Sequence, residues 1–207
     1  DSLIEKQLIS VAMYHQEKGD QTGKRSEYIA AAKLYYDFLK KHPSDPLMIG
    51  ARYNYAQVLF NLRDYGGAAN EYTAVRNYST DDQYKEKSSF GVVASLQAKL
   101  KSTDKKYYTK EITPLLGKNG DLMLANNLSK LEESLVDSCN KYEELNPTGQ
   151  RLDEVSYMRS EVYFRNNRFD EAVTGYKNIV KGIVSSRNVD DKSCKEVILR
   201  LLTKSGT

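Results

Sequence analysis

Two stretches of the chain, 51–75 and 155–179, carry the same spacing of small and large residues. They read ARYNYAQVLFNLRDYGGAANEYTAV and VSYMRSEVYFRNNRFDEAVTGYKNI. In each, a small residue stands three positions before a large one, and nine positions farther on an alanine stands four before a tyrosine. The small residues are Ala56 and Ser160, and the alanines are Ala68 and Ala172. Because small residues let two helices approach closely while large ones fill the space around the crossing, the spacing predicts pairs of antiparallel helices.

A short polar turn separates the two expected helices of each stretch. The first turn is Arg63-Asp64-Tyr65-Gly66 and the second runs over 166–170. Both supply residues that tolerate the left-handed conformation or cap the following helix. The pattern resembles the tetratricopeptide repeat (TPR) family, whose 34-residue unit has this small-large and alanine-aromatic signature. The resemblance implies an all-α fold, a right-handed superhelix of antiparallel helix pairs.

A third copy lies near the N-terminus, where the second half of the repeat recurs. Its residues are Tyr28, Ala31, Tyr35, Phe38 and Pro43. Its first helix is less regular, because the polar segment 21–26 predicts a long turn. The alanines of the three copies are separated by 37 and then by 104 residues, so two further repeats fit between the second and third. A single domain over 1–207 is expected, with repeats at about 1–45, 47–80, 82–117, 118–147 (degenerate) and 151–185, and a final helix at 190–204.

The middle of the chain departs from this regularity. About ten helices are expected, at 2–18, 24–41, 47–62, 65–77, 82–101, 105–116, 121–145, 151–166, 169–183 and 190–204. An apolar stripe from Leu124 through Leu128 to Leu145 predicts one long helix over 121–145. Three helices then fall between the regular copies, where an up-and-down array needs an even number. Either a short helix or irregular turn lies near Gly117 and Gly120, or the array divides into two subdomains.

Composition places the chain among ordinary globular proteins. It has 40% hydrophobic and 29% charged residues, and no apolar run approaches the ~20 residues that span a bilayer. The net charge of +3 is too small to favour a nucleic-acid partner. The Lys-rich piece 99–110 is read as a solvated turn. The chain begins with Asp1 and shows no signal peptide, so a processed or excised chain is expected.

No set of residues with catalytic or metal-binding spacing is evident. The two histidines, His15 and His42, lack a partner at ligand spacing, and the chain is expected not to be an enzyme and to need no cofactor or metal. Cys139 and Cys194 belong to no CxxC pair, so they can be free thiols or a disulfide.

The TPR resemblance also implies where a partner would bind. In that family the first helix of each repeat lines a concave groove. Carried onto this chain, the groove residues are Tyr53, Asn54, Gln57, Phe60, Asn61, Tyr157, Glu161, Phe164 and Arg165. Asn54 is the one match to the Lys and Asn residues with which some TPR domains clamp a C-terminal carboxylate, so binding of chaperone tails is not expected.

A mixture of aromatic and hydrogen-bonding side chains suits an extended peptide or partner helix. The sequence therefore predicts a non-catalytic protein-protein interaction scaffold or adaptor, similar to bacterial cell-envelope TPR proteins, which favours the bacterial periplasm or envelope over the cytoplasm. One alternative is a substrate-recognition domain cut from a larger enzyme or envelope machine. A remote alternative is an RNA-binding helical repeat. The partner and the oligomeric state are not specified by the sequence.

Overall fold

The computed structural model describes residues 2–103 and 124–187, and within them the chain is all-α. These ranges contain eight helices and no strand: α1 (Ser2–Thr22), α2 (Arg25–Lys41), α3 (Met48–Asn61), α4 (Tyr65–Tyr78), α5 (Asp82–Thr103), α6 (Lys130–Leu145), α7 (Leu152–Arg165) and α8 (Phe169–Arg187). The all-α class is confirmed. The helices expected at 105–116 and 190–204 lie outside the described residues.

Most of the helices pack against a neighbour in the chain. These pairs are α1 with α2, α2 with α3, α3 with α4, α6 with α7, and α7 with α8, and α1 also contacts α3. The contacts divide the chain into two compact units, an N-terminal unit over Asp1–Lys99 and a C-terminal unit over Leu100–Thr207. Each unit has buried residues of its own.

The N-terminal unit has two groups of buried side chains. The first joins α1, α2 and α3 through Ala12, Ala31, Tyr35, Phe38, Ala51 and Val58. The second joins α3, α4 and α5 through Ala56, Leu59, Ala68, Tyr72 and Val92. The alanines that mark the repeats, Ala31 and Ala68, are both fully buried. Both lie where helices cross, as the spacing of small residues predicted.

In the C-terminal unit α7 lies between α6 and α8. The buried residues of this unit include Leu135, Val136, Cys139, Tyr142, Val155, Met158, Ser160, Val162, Ala172 and Val180. Burial raises the pKa of the Cys139 thiol to about 12. Cys194 lies outside the described residues.

The pairs α3–α4 and α7–α8 are built in the same way. The chain leaves the first helix of each through a residue with positive φ, Arg63 at 65° and Asn167 at 56°. The backbone N–H of that residue donates to the carbonyl of Phe60 in one pair and of Phe164 in the other. Because these positions are 104 residues apart, the matching sequence spacing corresponds to a matching structure.

The turn between α1 and α2 is shorter than the sequence suggested. The segment 21–26 was expected to form a long turn, but α1 continues to Thr22 and α2 begins at Arg25. Gly23 takes a positive φ of 66° and its N–H donates to the Gly19 carbonyl, which ends the helix in a single left-handed residue. Glycine adopts this conformation at little cost.

The long helix expected over 121–145 is wrong at its start, because α6 begins only at Lys130. Ser129 accepts from the backbone N–H of Glu132, while the Glu132 carboxylate accepts from the backbone N–H of Ser129. This reciprocal capping box stabilises a helix start at that point. Leu124, the first residue of the apolar stripe, is 88% exposed and lies in irregular chain.

The irregular segment 124–129 is attached to the turn between α7 and α8. The N–H of Asn126 donates to the Asn166 carbonyl at 2.8 Å, and the Asn167 side chain donates to the Leu124 carbonyl at 3.2 Å. Asn166 also donates to the buried Glu132 carboxylate at 2.8 Å. Residues 124–129 are thus irregular, and Gly117 and Gly120, near which a short helix or irregular turn was expected, lie outside the described residues.

Candidate functional site

A cavity of about 250 Å³ lies in the N-terminal unit. Gln16 and Asp20 come from α1, Gln57, Phe60 and Asn61 from α3, and Tyr72 from α4. Here we call this cavity the α1–α3 pocket. Three of its lining residues, Gln57, Phe60 and Asn61, belong to the set predicted from the sequence.

The spacing along α3 explains why these residues share a face. Gln57, Phe60 and Asn61 stand three and four positions apart, which places them one above the other along a helix. Gln16 and Asp20 stand four apart on α1 for the same reason. The pocket is therefore formed where two such rows meet across adjoining helices.

Hydrogen bonds hold the polar side chains of the pocket in place. The Gln16 side chain donates to the Gln57 amide oxygen at 3.2 Å and accepts from the Tyr35 hydroxyl at 2.9 Å. The Asp20 carboxylate accepts from Asn61 at 3.3 Å and from the Tyr28 hydroxyl at 2.8 Å. Two hydrogen bonds thus connect α1 to α3. They engage the amide oxygen of Gln57 and the amide N–H of Asn61, while Gln16 uses both its N–H and its oxygen.

Tyr35 is the buried support of this network. Burial raises the pKa of its hydroxyl to about 12, although a hydrogen bond with Asn54 opposes the shift. The hydroxyl therefore stays protonated at neutral pH and remains a donor to Gln16. Asn54, one of the predicted groove residues, is not among the lining residues of the pocket.

Tyr53 packs between other aromatic rings. Its ring centroid lies 5.6 Å from that of Tyr72 and 5.3 Å from that of Tyr84, both at steep angles. Partial burial raises the pKa of its hydroxyl. Phe60, by comparison, contacts Tyr65 at 5.2 Å while also lining the pocket. Tyr53 therefore stabilises the α3–α4–α5 packing, and Phe60 takes part in both packing and lining.

The predicted residues of the C-terminal unit form a separate cluster on α7 and α8. Glu161 accepts from the Tyr176 hydroxyl at 2.9 Å, and Arg165 lies 3.5 Å from the same carboxylate. The Tyr157 ring, half exposed, lies 5.9 Å from that of Tyr176. Burial, followed by the charge of Glu161, raises the pKa of both tyrosines.

The same contacts occur in the two units. Tyr157 pairs with Tyr176 as Tyr53 pairs with Tyr72, and Phe164 contacts Phe169 at 5.8 Å as Phe60 contacts Tyr65. These aromatic contacts belong to the repeated helix pair itself. Of the C-terminal set, Tyr157 offers the largest exposed aromatic surface.

Sequence reasoning missed the α1 side of the pocket. Gln16 and Asp20 stand outside the repeat signature, since the signature marks residues of the helix crossing rather than those of a polar rim. A weaker signal was available in the i, i+4 spacing of two hydrogen-bonding residues near the end of α1.

Among the described residues, no group of three or more His, Cys, Asp or Glu side chains is arranged to hold a metal ion. Within the same ranges, no helix combines the length and apolar character that crossing a membrane requires. Comparison with protein-family models found no match, and a search of curated proteins found no similar sequence.

Proposed function

We propose that the protein is a non-catalytic interaction scaffold that binds an extended segment of a partner protein at the α1–α3 pocket. The observation that carries this proposal is the combination of amide side chains and aromatic walls in one cavity between adjoining helices. Amides pair with the N–H and C=O groups of a peptide, and aromatic rings supply contact area at low entropic cost. The repeated helix pair and the spacing of its small residues further support a TPR-like array.

Pocket charge favours a protein partner over RNA. The charged group among the lining residues is the Asp20 carboxylate, which would repel a phosphate backbone. A bacterial-envelope setting stays a prediction that rests on the resemblance to envelope TPR proteins. The same pocket would serve equally in a recognition domain of a larger enzyme, in which case the peptide is a substrate segment.

An unbiased peptide selection tests the proposal. Random 15-residue peptides displayed on phage are selected on the full chain, and the affinity of the selected peptides is measured by fluorescence polarisation. The pocket variant is Gln57→Ala/Asn61→Ala. Each lost hydrogen bond contributes about 0.5–1.5 kcal/mol, so the pair is expected to weaken binding roughly tenfold.

The matched control is Asn70→Ala/Gln83→Ala, which removes the same two amides from exposed positions outside the pocket. It is expected to bind the selected peptides with wild-type affinity. Circular dichroism verifies that both variants remain helical. If no peptide is selected, or if the selected peptides bind the pocket variant as tightly as the wild type, the proposal is wrong.

A further inference from the structure

The α1–α3 pocket contains a negative charge and, among its lining residues, no positive one. Both hydrogen bonds to Asp20, from Tyr28 at 2.8 Å and from Asn61 at 3.3 Å, end on the same oxygen, Oδ1. No described residue donates to the second oxygen, Oδ2. The carboxylate is thus held in one orientation by neutral donors and keeps one oxygen for a ligand. A donor that carries a positive charge would form the stronger, charge-assisted hydrogen bond there.

Two aromatic rings complete the same cavity. Phe60 and Tyr72 line it, and each is held by a neighbouring ring, Tyr65 at 5.2 Å and Tyr53 at 5.6 Å. Tyr72 is only 7% exposed and its ring packs against Gly91, so Phe60 and a small part of Tyr72 form an apolar wall. This wall and the carboxylate together favour a ligand with an apolar stem and a positively charged head.

The size of the cavity indicates how much of a ligand it takes. Its volume of about 250 Å³ lies below the ~300–1,000 Å³ of pockets that enclose a drug-sized molecule. One long side chain is a more suitable occupant. Lysine and arginine have apolar stems that pack on rings and charged heads that reach a carboxylate. Both parts find partners here.

We infer that the α1–α3 pocket binds a lysine or arginine side chain of the partner segment, with the charged head at Asp20 and the stem against Phe60 and Tyr72. Gln57 and Asn61 stand beside this position and pair with the peptide main chain. The inference rests on the proposed function and specifies the ligand of the same site. The alternative is that Asp20 serves only to join Tyr28 of α2 to Asn61 of α3.

A titration with small probes separates these two roles. The ¹⁵N-labelled full chain is titrated with N-acetyl-arginine N-methylamide, N-acetyl-lysine N-methylamide and the citrulline analogue, which has nearly the shape of arginine but no charge. The side-chain amide signals of Gln57 and Asn61 report binding. We expect saturable shifts with the arginine or lysine probe, and at least tenfold weaker binding of citrulline.

Asp20→Asn is expected to abolish this preference for charge, while the amide can still accept from Tyr28. The matched control, Asp137→Asn, removes an exposed carboxylate from α6 and is expected to leave the titration unchanged. Equal binding of citrulline and arginine, no binding of either cation, or unchanged cation binding to Asp20→Asn would each overturn the inference.

The two proposals can fail separately. If the selected phage peptides lose affinity in Gln57→Ala/Asn61→Ala but keep it when their lysines and arginines are replaced by glutamine, the peptide site stands and the basic anchor is wrong. If no selected peptide depends on the pocket, both are wrong.

Discussion

Two residues share a left-handed backbone conformation, but its free-energy cost differs between them. Arg63 and Asn167 both end the first helix of a pair with positive φ. A left-handed conformation costs a residue with a Cβ roughly 1–2 kcal/mol, and asparagine less than most because its short side chain bonds locally. Arg63 is exposed, whereas Asn167 is buried and bonded to the Leu124 carbonyl. The same turn is therefore strained in one copy and supported in the other.

Replacing each residue with glycine should accordingly have opposite effects. Arg63→Gly is expected to raise the free energy of unfolding by up to ~1 kcal/mol, because glycine adopts positive φ without strain. Asn167→Gly is expected to lower it by about 1 kcal/mol through the lost hydrogen bond. Urea denaturation of the two variants measures both changes. A loss of stability in Arg63→Gly would show that the arginine side chain stabilises the turn.

The surroundings of Glu27 on α2 favour its ionised form. Its carboxylate accepts from Nδ1 of His15 at 2.7 Å and lies 3.6 Å from the Lys18 ammonium. The hydrogen bond from His15 lowers the pKa of Glu27 below its ordinary 4.5, helped by the charge of Lys18 and opposed by partial burial. The ionised form therefore stabilises the folded chain.

The pH dependence follows from the sign of that shift. Because the pKa of Glu27 is lower in the folded chain, its contribution is present above pH 4.5 and is lost as the pH falls through the folded value. Glu27→Gln is expected to lower the melting temperature at pH 7 and to match the wild type below pH 3. Asp137→Asn is the control. A difference that stays constant from pH 7 to pH 3 would exclude the ionised carboxylate as its source.

At the scale of helices, the equivalent pairs α3–α4 and α7–α8 have different residues packed at their crossings. In α7–α8 a glycine, Gly175, faces Ser160, so that an added Cβ would overlap the serine hydroxyl while the Ser160 Cβ would lie 3.3 Å away. In α3–α4 the corresponding positions hold Glu71 and Ala56. The C-terminal pair thus depends on a glycine where the N-terminal pair does not.

A double-mutant cycle examines this dependence. Gly175→Ala is expected to cost about 1–3 kcal/mol through overpacking. Gly175→Ala/Ser160→Ala should recover most of it, since the overlapping hydroxyl is gone and alanine favours a helix by about 1 kcal/mol over glycine. Gly182→Ala, whose Cβ would come no closer than 3.8 Å to a neighbour, is the control and is expected to stabilise. Additive losses in the double variant would contradict the proposed contact.

The sequence predicted the helix pairs well because their constraint is local. A small residue at a helix crossing, such as Ala68 or Ala172, recurs once in each copy of the repeat and can be recognised in the sequence. The start of α6 was mispredicted because the apolar spacing of Leu124 and Leu128 continued past a capping box at Ser129 and Glu132, whose reciprocal bonds set the boundary. Helix ends depend on such bonds more than on the hydrophobic pattern.

The candidate site was predictable only in part. Gln57, Phe60 and Asn61 follow from one helix face, which the repeat defines. Gln16 and Asp20 come from a helix whose pattern is irregular, and their position depends on how α1 packs on α3. The ring contacts of Tyr53 with Tyr72 and Tyr84 were not predictable, because residue type alone does not show which rings pack against one another.

For the whole molecule, the boundary near Lys99 bears on how much of the chain folds by itself. Both groups of buried residues in the N-terminal unit lie before this boundary. In a repeat architecture each helix pair is stabilised mainly by its immediate neighbours. The residues that form these two groups therefore all lie within the N-terminal unit.

Residues 1–103, which end where α5 ends, are expected to be helical and to unfold cooperatively when expressed alone, as measured by thermal circular dichroism. A shorter piece, 1–61, lacks α4 and α5 and so leaves Ala56 and Leu59 without the side chains that cover them. It should unfold at a lower temperature and less cooperatively. A non-cooperative transition in 1–103 would show that these helices require the rest of the chain.

The buried thiol of Cys139 gives the C-terminal unit a chemical reporter. Thiolate, rather than thiol, reacts with alkylating agents, and burial, which raises the pKa of this thiol to about 12, keeps it protonated at pH 8. Labelling at this site therefore proceeds through openings of the helix packing that bring the sulfur into water. Its rate, followed by peptide mass spectrometry so that Cys194 is counted separately, measures how often α6 and α7 separate in the intact protein.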